Sequence, residues 1–140
     1  MKHILSAITV FAATALLLSA CHKVVPVSGR YQTANEQIHM DFKTTTTANL
    51  FFPGEAPWSG VWTDVDYTQS GDALTFTMTR AHHRGLGGDC GSVVVNAKIV
   101  NDGAQIDLTR FECPESSKSV DISSLPNGTK DFELSKVLVN

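Results

Sequence analysis

From Ala73 to Arg80 the chain alternates Leu74, Phe76 and Met78 with Thr75, Thr77 and Thr79. A period of two puts the apolar set on one face of an extended strand and the threonines on the other, whereas a helix would scatter both sets around its circumference. Gln37 to Phe42 repeats the pattern through Ile38, Met40 and Phe42. Ala48 to Phe52, Gly60 to Tyr67, Ser92 to Val100, Ala104 to Glu112, Ser119 to Ile122 and Phe132 to Val139 are further strand-like runs. Turn formers separate them: Pro53-Gly54-Glu55-Ala56-Pro57, Ser70-Gly71-Asp72, Arg84 to Gly91, Asn101-Asp102-Gly103 and Pro126-Asn127-Gly128. Thr44-Thr45-Thr46-Thr47 reads as an exposed hairpin end. The expectation is an all-β domain of about seven to nine short strands, a small antiparallel up-and-down β-barrel or a sandwich. The barrel is favoured because consecutive strands read as hairpins.

The amino terminus follows a different rule. Met1-Lys2-His3 is a short basic start, and Ile4 to Ala20 then runs without a charged residue, the outline of an export signal. A permanent spanning helix wants about 20 apolar residues, and this run is shorter and broken by Ser6, Thr9, Thr14 and Ser19. It ends in Leu18-Ser19-Ala20-Cys21, which resembles the lipobox of bacterial lipoproteins. That resemblance implies a signal peptide over 1–20 removed before Cys21, and diacylglyceryl transfer to the Cys21 thiol. Two or three acyl chains make a stable anchor, at about 0.8 kcal/mol per buried methylene. It further implies a cell-envelope location, with His22 in place of a retaining aspartate favouring the outer membrane. Residues 21–28 then form the lipidated start and a short tether or edge strand, and 29–140 a single domain.

Removing 1–20 takes only Lys2 from the charged residues, leaving ten basic and fourteen acidic side chains and a formal charge of −4. Lys and Arg are scattered, so the concentrated basic face that nucleic acid requires is missing. With Cys21 committed to lipid, Cys90 and Cys113 remain, in a compartment where disulfides persist. Pairing Val100 with Gly103 across the Asn101-Asp102-Gly103 turn sets Cys90 opposite Cys113 at the open end of the hairpin, within disulfide reach. Such a bridge contributes on the order of 3 kcal/mol. A metal site built from Cys90, Cys113, His82 and His83 matches no standard ligand spacing, and neither metal nor cofactor is expected.

Candidate binding residues fall in two places. His82-His83-Arg84 opens a cationic, glycine-rich stretch, Gly85-Leu86-Gly87-Gly88-Asp89, leading to Cys90. Loops on a rigid sheet are where binding usually lives, although a plain surface loop with solvated histidines fits as well. The glycines form no phosphate cradle, since neither the Gly-x-x-x-x-Gly-Lys pattern nor a following helix is present. In the second place, Asp64 and Asp66 share a strand face, and strict alternation puts Trp62 there too, with Val61, Thr63, Val65 and Tyr67 inward. An aromatic beside two carboxylates suits a sugar or a cation, and equally the wet face of a strand. Trp58, in Pro57-Trp58-Ser59-Gly60, is either a plug over a barrel mouth or a contact residue. Gly60-Val61-Trp62 resembles the Gly-x-Trp of lipocalins over three residues and implies barrel shape only.

Catalytic motifs are missing: neither a Gly-x-Ser-x-Gly elbow nor a His-Glu-x-x-His helix occurs. The expectation is a non-enzymatic, membrane-anchored protein-binding module, inhibitory, protective or assembly-related, with a protein partner in the envelope. The alternatives are a small apolar-ligand carrier whose interior is lined by Phe42, Phe76, Met78 and Phe132, and a structural envelope lipoprotein. Native mass spectrometry separates the first two, since a carrier retains its ligand.

Overall fold

The structure, a computed structural model, describes residues 24–54, 56, 58–80, 82–84, 91–116, 118–125 and 130–139. Residues 1–20, expected to be a signal peptide, and Cys21, His22, Gly85 to Asp89 and Cys90 lie outside that set. The strand-like runs become β1 (Gly29–Gln32), β2 (His39–Phe42), β3 (Thr47–Phe52), β4 (Gly60–Ser70) and β5 (Ala73–Thr79). They continue as β6 (His83–Arg84), β7 (Ser92–Val100), β8 (Gln105–Cys113), β9 (Lys118–Asp121) and β10 (Glu133–Lys136). Among the described residues there is no α-helix, only short 3-10 turns.

β1 to β5 pair in sequence, β5 pairs with β7, β7 with β8, and β10 lies between β8 and β1. Eight antiparallel strands thus close into a barrel, and the sandwich is ruled out. β6 continues along β4 beyond the end of β5, and β9 runs along β8 beyond the end of β10. β1 and β6 are strands the sequence reading did not include; both are short, and β6 turns His83-Arg84 from loop into ladder. Closure leaves two unlike ends. Connections at 43–46, 71–72 and 101–104 gather at one, the turn end; the longer ones at 33–38 and 53–59, with the four-residue connection at 114–117, gather at the other, the loop end.

Two bulges break strict alternation. In β4, Ala48 pairs with Val65 but Leu50 pairs with Trp62, so β4 carries one extra residue. That residue is Asp64, at φ 53°, a left-handed conformation that a short polar side chain tolerates; its N–H donates to Asn49 Oδ1 at 3.0 Å. An extra residue flips the facing of everything before it. Trp62 therefore turns inward and Val61 outward, the reverse of the alternation expected from sequence. A second bulge in β8 leaves Thr109 and Arg110 both outward between Leu108 and Phe111.

The hairpin register is also corrected. Asn101, Asp102 and Gly103 all have positive φ, and with Ala104 they make a four-residue loop in which Val100 pairs with Gln105 rather than Gly103. After the β8 bulge Val94 pairs with Glu112. Carried one step on, Cys113 faces Val93, three residues from the position the expected register assigns to Cys90, which itself lies outside the described residues.

The interior is filled by its own side chains. Tyr31, Met40, Leu50, Phe76, Met78, Val93, Val95, Ile106 and Leu134 are each at most 1% exposed, and each large apolar side chain so buried is worth about 1.5–3 kcal/mol. Small barrels fill in this way. Phe42, Tyr67 and Phe76 lie in mutual ring contact at 5.2–6.1 Å. The outer wall carries Arg30, Asp41, Asp66, Lys98, Asp107 and Glu112, a surface for water rather than for lipid tails.

Candidate functional site

The loop end is shaped by aromatic stacking. Phe52 from β3 meets Phe111 from β8 edge-on at 5.3 Å, and Trp58 lies flat on the same Phe111 ring at 4.6 Å with planes 14° apart. Phe132 closes the group at 6.2 Å. Trp58 is thus a plug over the barrel mouth. Its carbonyl accepts the indole N–H of Trp62 at 2.9 Å, which satisfies the polar atom of a tryptophan that the bulge has sent into the core. The loop carrying Trp58 is held by Ser59, whose hydroxyl donates to the Pro53 carbonyl at 3.0 Å and whose N–H donates to Ala56.

Beside this cap opens a recess of about 360 Å³. Ile38, Phe52, Trp58 and Phe132 supply its apolar lining, and Asn35, Gln37 and Asp131 polar groups. The 33–38 loop is preorganised: Thr33, only 3% exposed, accepts from Ile38 N–H and its hydroxyl donates to Asn35 Oδ1 at 2.6 Å. Asn35 Oδ1 also accepts from Gln37 N–H, and Asn35 Nδ2 donates to Gln37 Oε1. An aromatic floor with a few convergent amides and a carboxylate is the chemistry of a binding recess. The sequence reading singled out Trp58 alone from this group as a candidate binding residue. The rest of the recess comes from connections far apart in the chain, and only the polar Thr33-x-Asn35-x-Gln37 cluster carries a local turn signal.

The other candidates are dispersed. Asp64 and Asp66 do share the outer face of β4, but Trp62 is 2% exposed and cannot serve them as a platform. His82 is a turn residue: its Nδ1 accepts from Thr79 N–H at 3.1 Å, its N–H donates to the Thr79 carbonyl, and its carbonyl accepts from Thr63 N–H at 2.8 Å. His83 and Arg84 pair through their backbones with Trp62 and Val61. Among the described residues no group of three His, Cys, Asp or Glu lies together as a metal site.

A second surface escaped the sequence reading. On the outer wall His39 stacks on Phe51 at 4.8 Å beside the exposed Val61, around a shallow recess of about 150 Å³. Arg30 contacts His39 Nδ1 at 3.0 Å and pairs with Asp41 at 3.7 Å. Burial, and then the Arg30 charge, push the His39 pKa below the ordinary imidazole value, with Asp41 pulling the other way. At the opposite end, burial raises the pKa of the Tyr31 and Tyr67 phenols.

No protein-family model, no curated protein and no solved structure matches this chain. The site therefore stands on its own geometry.

Proposed function

We propose that this chain is a bacterial envelope lipoprotein, lipid-anchored through Cys21 and most at home on the outer membrane, that acts as a non-enzymatic protein-binding module. The observation that carries the binding reading is the filled interior. With Phe42 against Phe76, Met78 wholly buried in the same core and Phe132 drawn into the mouth cap, a partner is met on the surface rather than inside, which argues against the carrier. The recess between Trp58, Phe132 and the 33–38 loop fits an apolar side chain projecting from a partner protein, with Asn35 and Gln37 beside it. Such a desolvated aromatic pocket with a polar rim is the usual centre of a protein interface.

The lipobox resemblance of Leu18-Ser19-Ala20-Cys21 supports the anchor. A Cys90–Cys113 bridge belongs to the same reading. Cys113 is buried at the end of β8, and Gly91, the residue after Cys90, is packed against the Glu115 carboxylate, so the two cysteines flank neighbouring segments. Intact-mass and peptide analysis of protein purified from membranes tests both: the expected species begins at acylated Cys21 and contains one linked Cys90–Cys113 peptide. A retained leader or an unmodified Cys21 overturns the anchor.

The binding reading is tested by placing a photocrosslinking residue at Asn35 in the intact envelope. A discrete protein adduct that disappears with Trp58→Ala is expected. No adduct at position 35, together with a small molecule retained in native mass spectrometry, overturns the module in favour of a carrier.

A further inference from the structure

The proposed anchor and the fold together orient the molecule. Val25 is pinned to the turn end: its carbonyl accepts from Gln69 Nε2 at 2.7 Å, and its side chain lies against Gly103 in the 101–104 turn. Two residues, His22 and Lys23, separate Cys21 from Val24, and a fully extended chain spans at most about 11 Å over those three peptide steps. The nine residues of β7, tilted as barrel strands are, make a wall roughly 20–25 Å tall. An acylated Cys21 therefore stays beside the turn end and cannot reach the loop end.

The same end carries apolar surface that no described residue covers. Val137 N–H donates to the Arg30 carbonyl, which leads the chain past the start of β1 and delivers Leu138 and Val139 to the turn end, 80% and 94% exposed. Val24 is 55% exposed there as well. Among the described residues only one other large apolar side chain is counted as exposed, Val61 on the wall. Lys43, at the 43–46 turn, and Lys136, 3.5 Å from Ser28, add cations at this end. Asp72 and Asp102 in the other two turns put acidic groups at the same end, so the apolar side chains carry the contact, and the two lysines reach phosphate headgroups from its edge.

We propose that the turn end rests on the lipid surface, with Val24, Leu138 and Val139 entering its apolar boundary, so that the Trp58 recess faces away from the membrane. This rests on Cys21 being the lipid-bearing residue.

Tryptophan fluorescence tests it on the mature lipidated protein in phosphatidylethanolamine and phosphatidylglycerol vesicles, with and without brominated acyl chains. Trp58 and Trp62 belong to the loop end, so wild-type emission should be the same in both vesicles. Leu138→Trp, at an exposed position that tolerates it, should add emission that is lost on the brominated vesicles, while emission added by Asn35→Trp should persist. Protein that floats with vesicles but shows equal quenching at 138 and 35, or stronger quenching at 35, overturns the orientation and leaves the anchor standing. Protein that fails to float overturns both.

Discussion

At the turn end, the hydroxyls of Tyr31 and Tyr67 reach out of the core to the Gly103 and Thr44 carbonyls, at 2.7 and 3.0 Å, and tie short turns directly to the interior. At the loop end the corresponding layer of Phe52, Trp58, Phe111 and Phe132 is held by ring stacking, and the loops above it bond chiefly to themselves through Thr33, Asn35 and Ser59. Both ends have an aromatic layer; two phenols bolt the turn end to two turns, whereas at the loop end one indole bond, from Trp62 to the Trp58 carbonyl, ties the 53–59 connection and the 33–38 loop bonds within itself. The loop end can thus carry a recess and vary its surface without disturbing the core, which is the usual division between scaffold and binding loops.

The sharpest way to break this contrast is to truncate one ring from each layer. Phe76→Ala, in a side chain with no exposure, should cost about 3–5 kcal/mol in urea unfolding. Trp58→Ala, at the partly buried cap, should cost about 1–2 kcal/mol, because less area returns to water. Equal losses would make the cap part of the core rather than its lid. A smaller effect tests the bulge that puts Trp62 under that lid. Asp64→Val forces a β-branched residue into φ 53° and should destabilise by about 1–3 kcal/mol, whereas Asp64→Gly should be tolerated. The reverse ranking would contradict the extra residue in β4.

The smallest effect is a pH dependence on the loop-end half of the wall. His39 has a folded pKa below its ordinary value near 6.5, so between the two values the unfolded chain binds more protons, and stability rises with pH there. Urea midpoints should be level in His39 terms above about pH 6.5 and fall as the pH drops through the window beneath it. His39→Gln should remove that component of the slope; an unchanged slope assigns it to other groups.

What was legible in the sequence follows the same division. β5 and β7 were readable because their alternation runs unbroken, and the hairpin turns because Gly71 and Asn101-Asp102-Gly103 announce themselves. The facing of Trp62 was not. A bulge is one inserted residue, and Asp64 looks like any outward polar residue until its pairing with Asn49 is seen. The same blindness misplaced the β7–β8 register, where a longer turn and the Thr109 bulge slide the partners apart. His82 looked like part of a cationic loop because nothing local reveals that Thr79 and Thr63 use its ring and carbonyl. The recess was readable only at Trp58, since Ile38, Asp131 and Phe132 meet it through closure of the barrel.

That closure sets an order of events. β10 follows the other described strands and is the one that joins β8 to β1, so the cylinder stays open until that strand has arrived. In a chain synthesised from its amino terminus, the first strand waits for the tenth. Loss of the segment from Glu133 onward would expose the backbone of two strands at once and leave a curled sheet with raw seams, ready to pair with its neighbours.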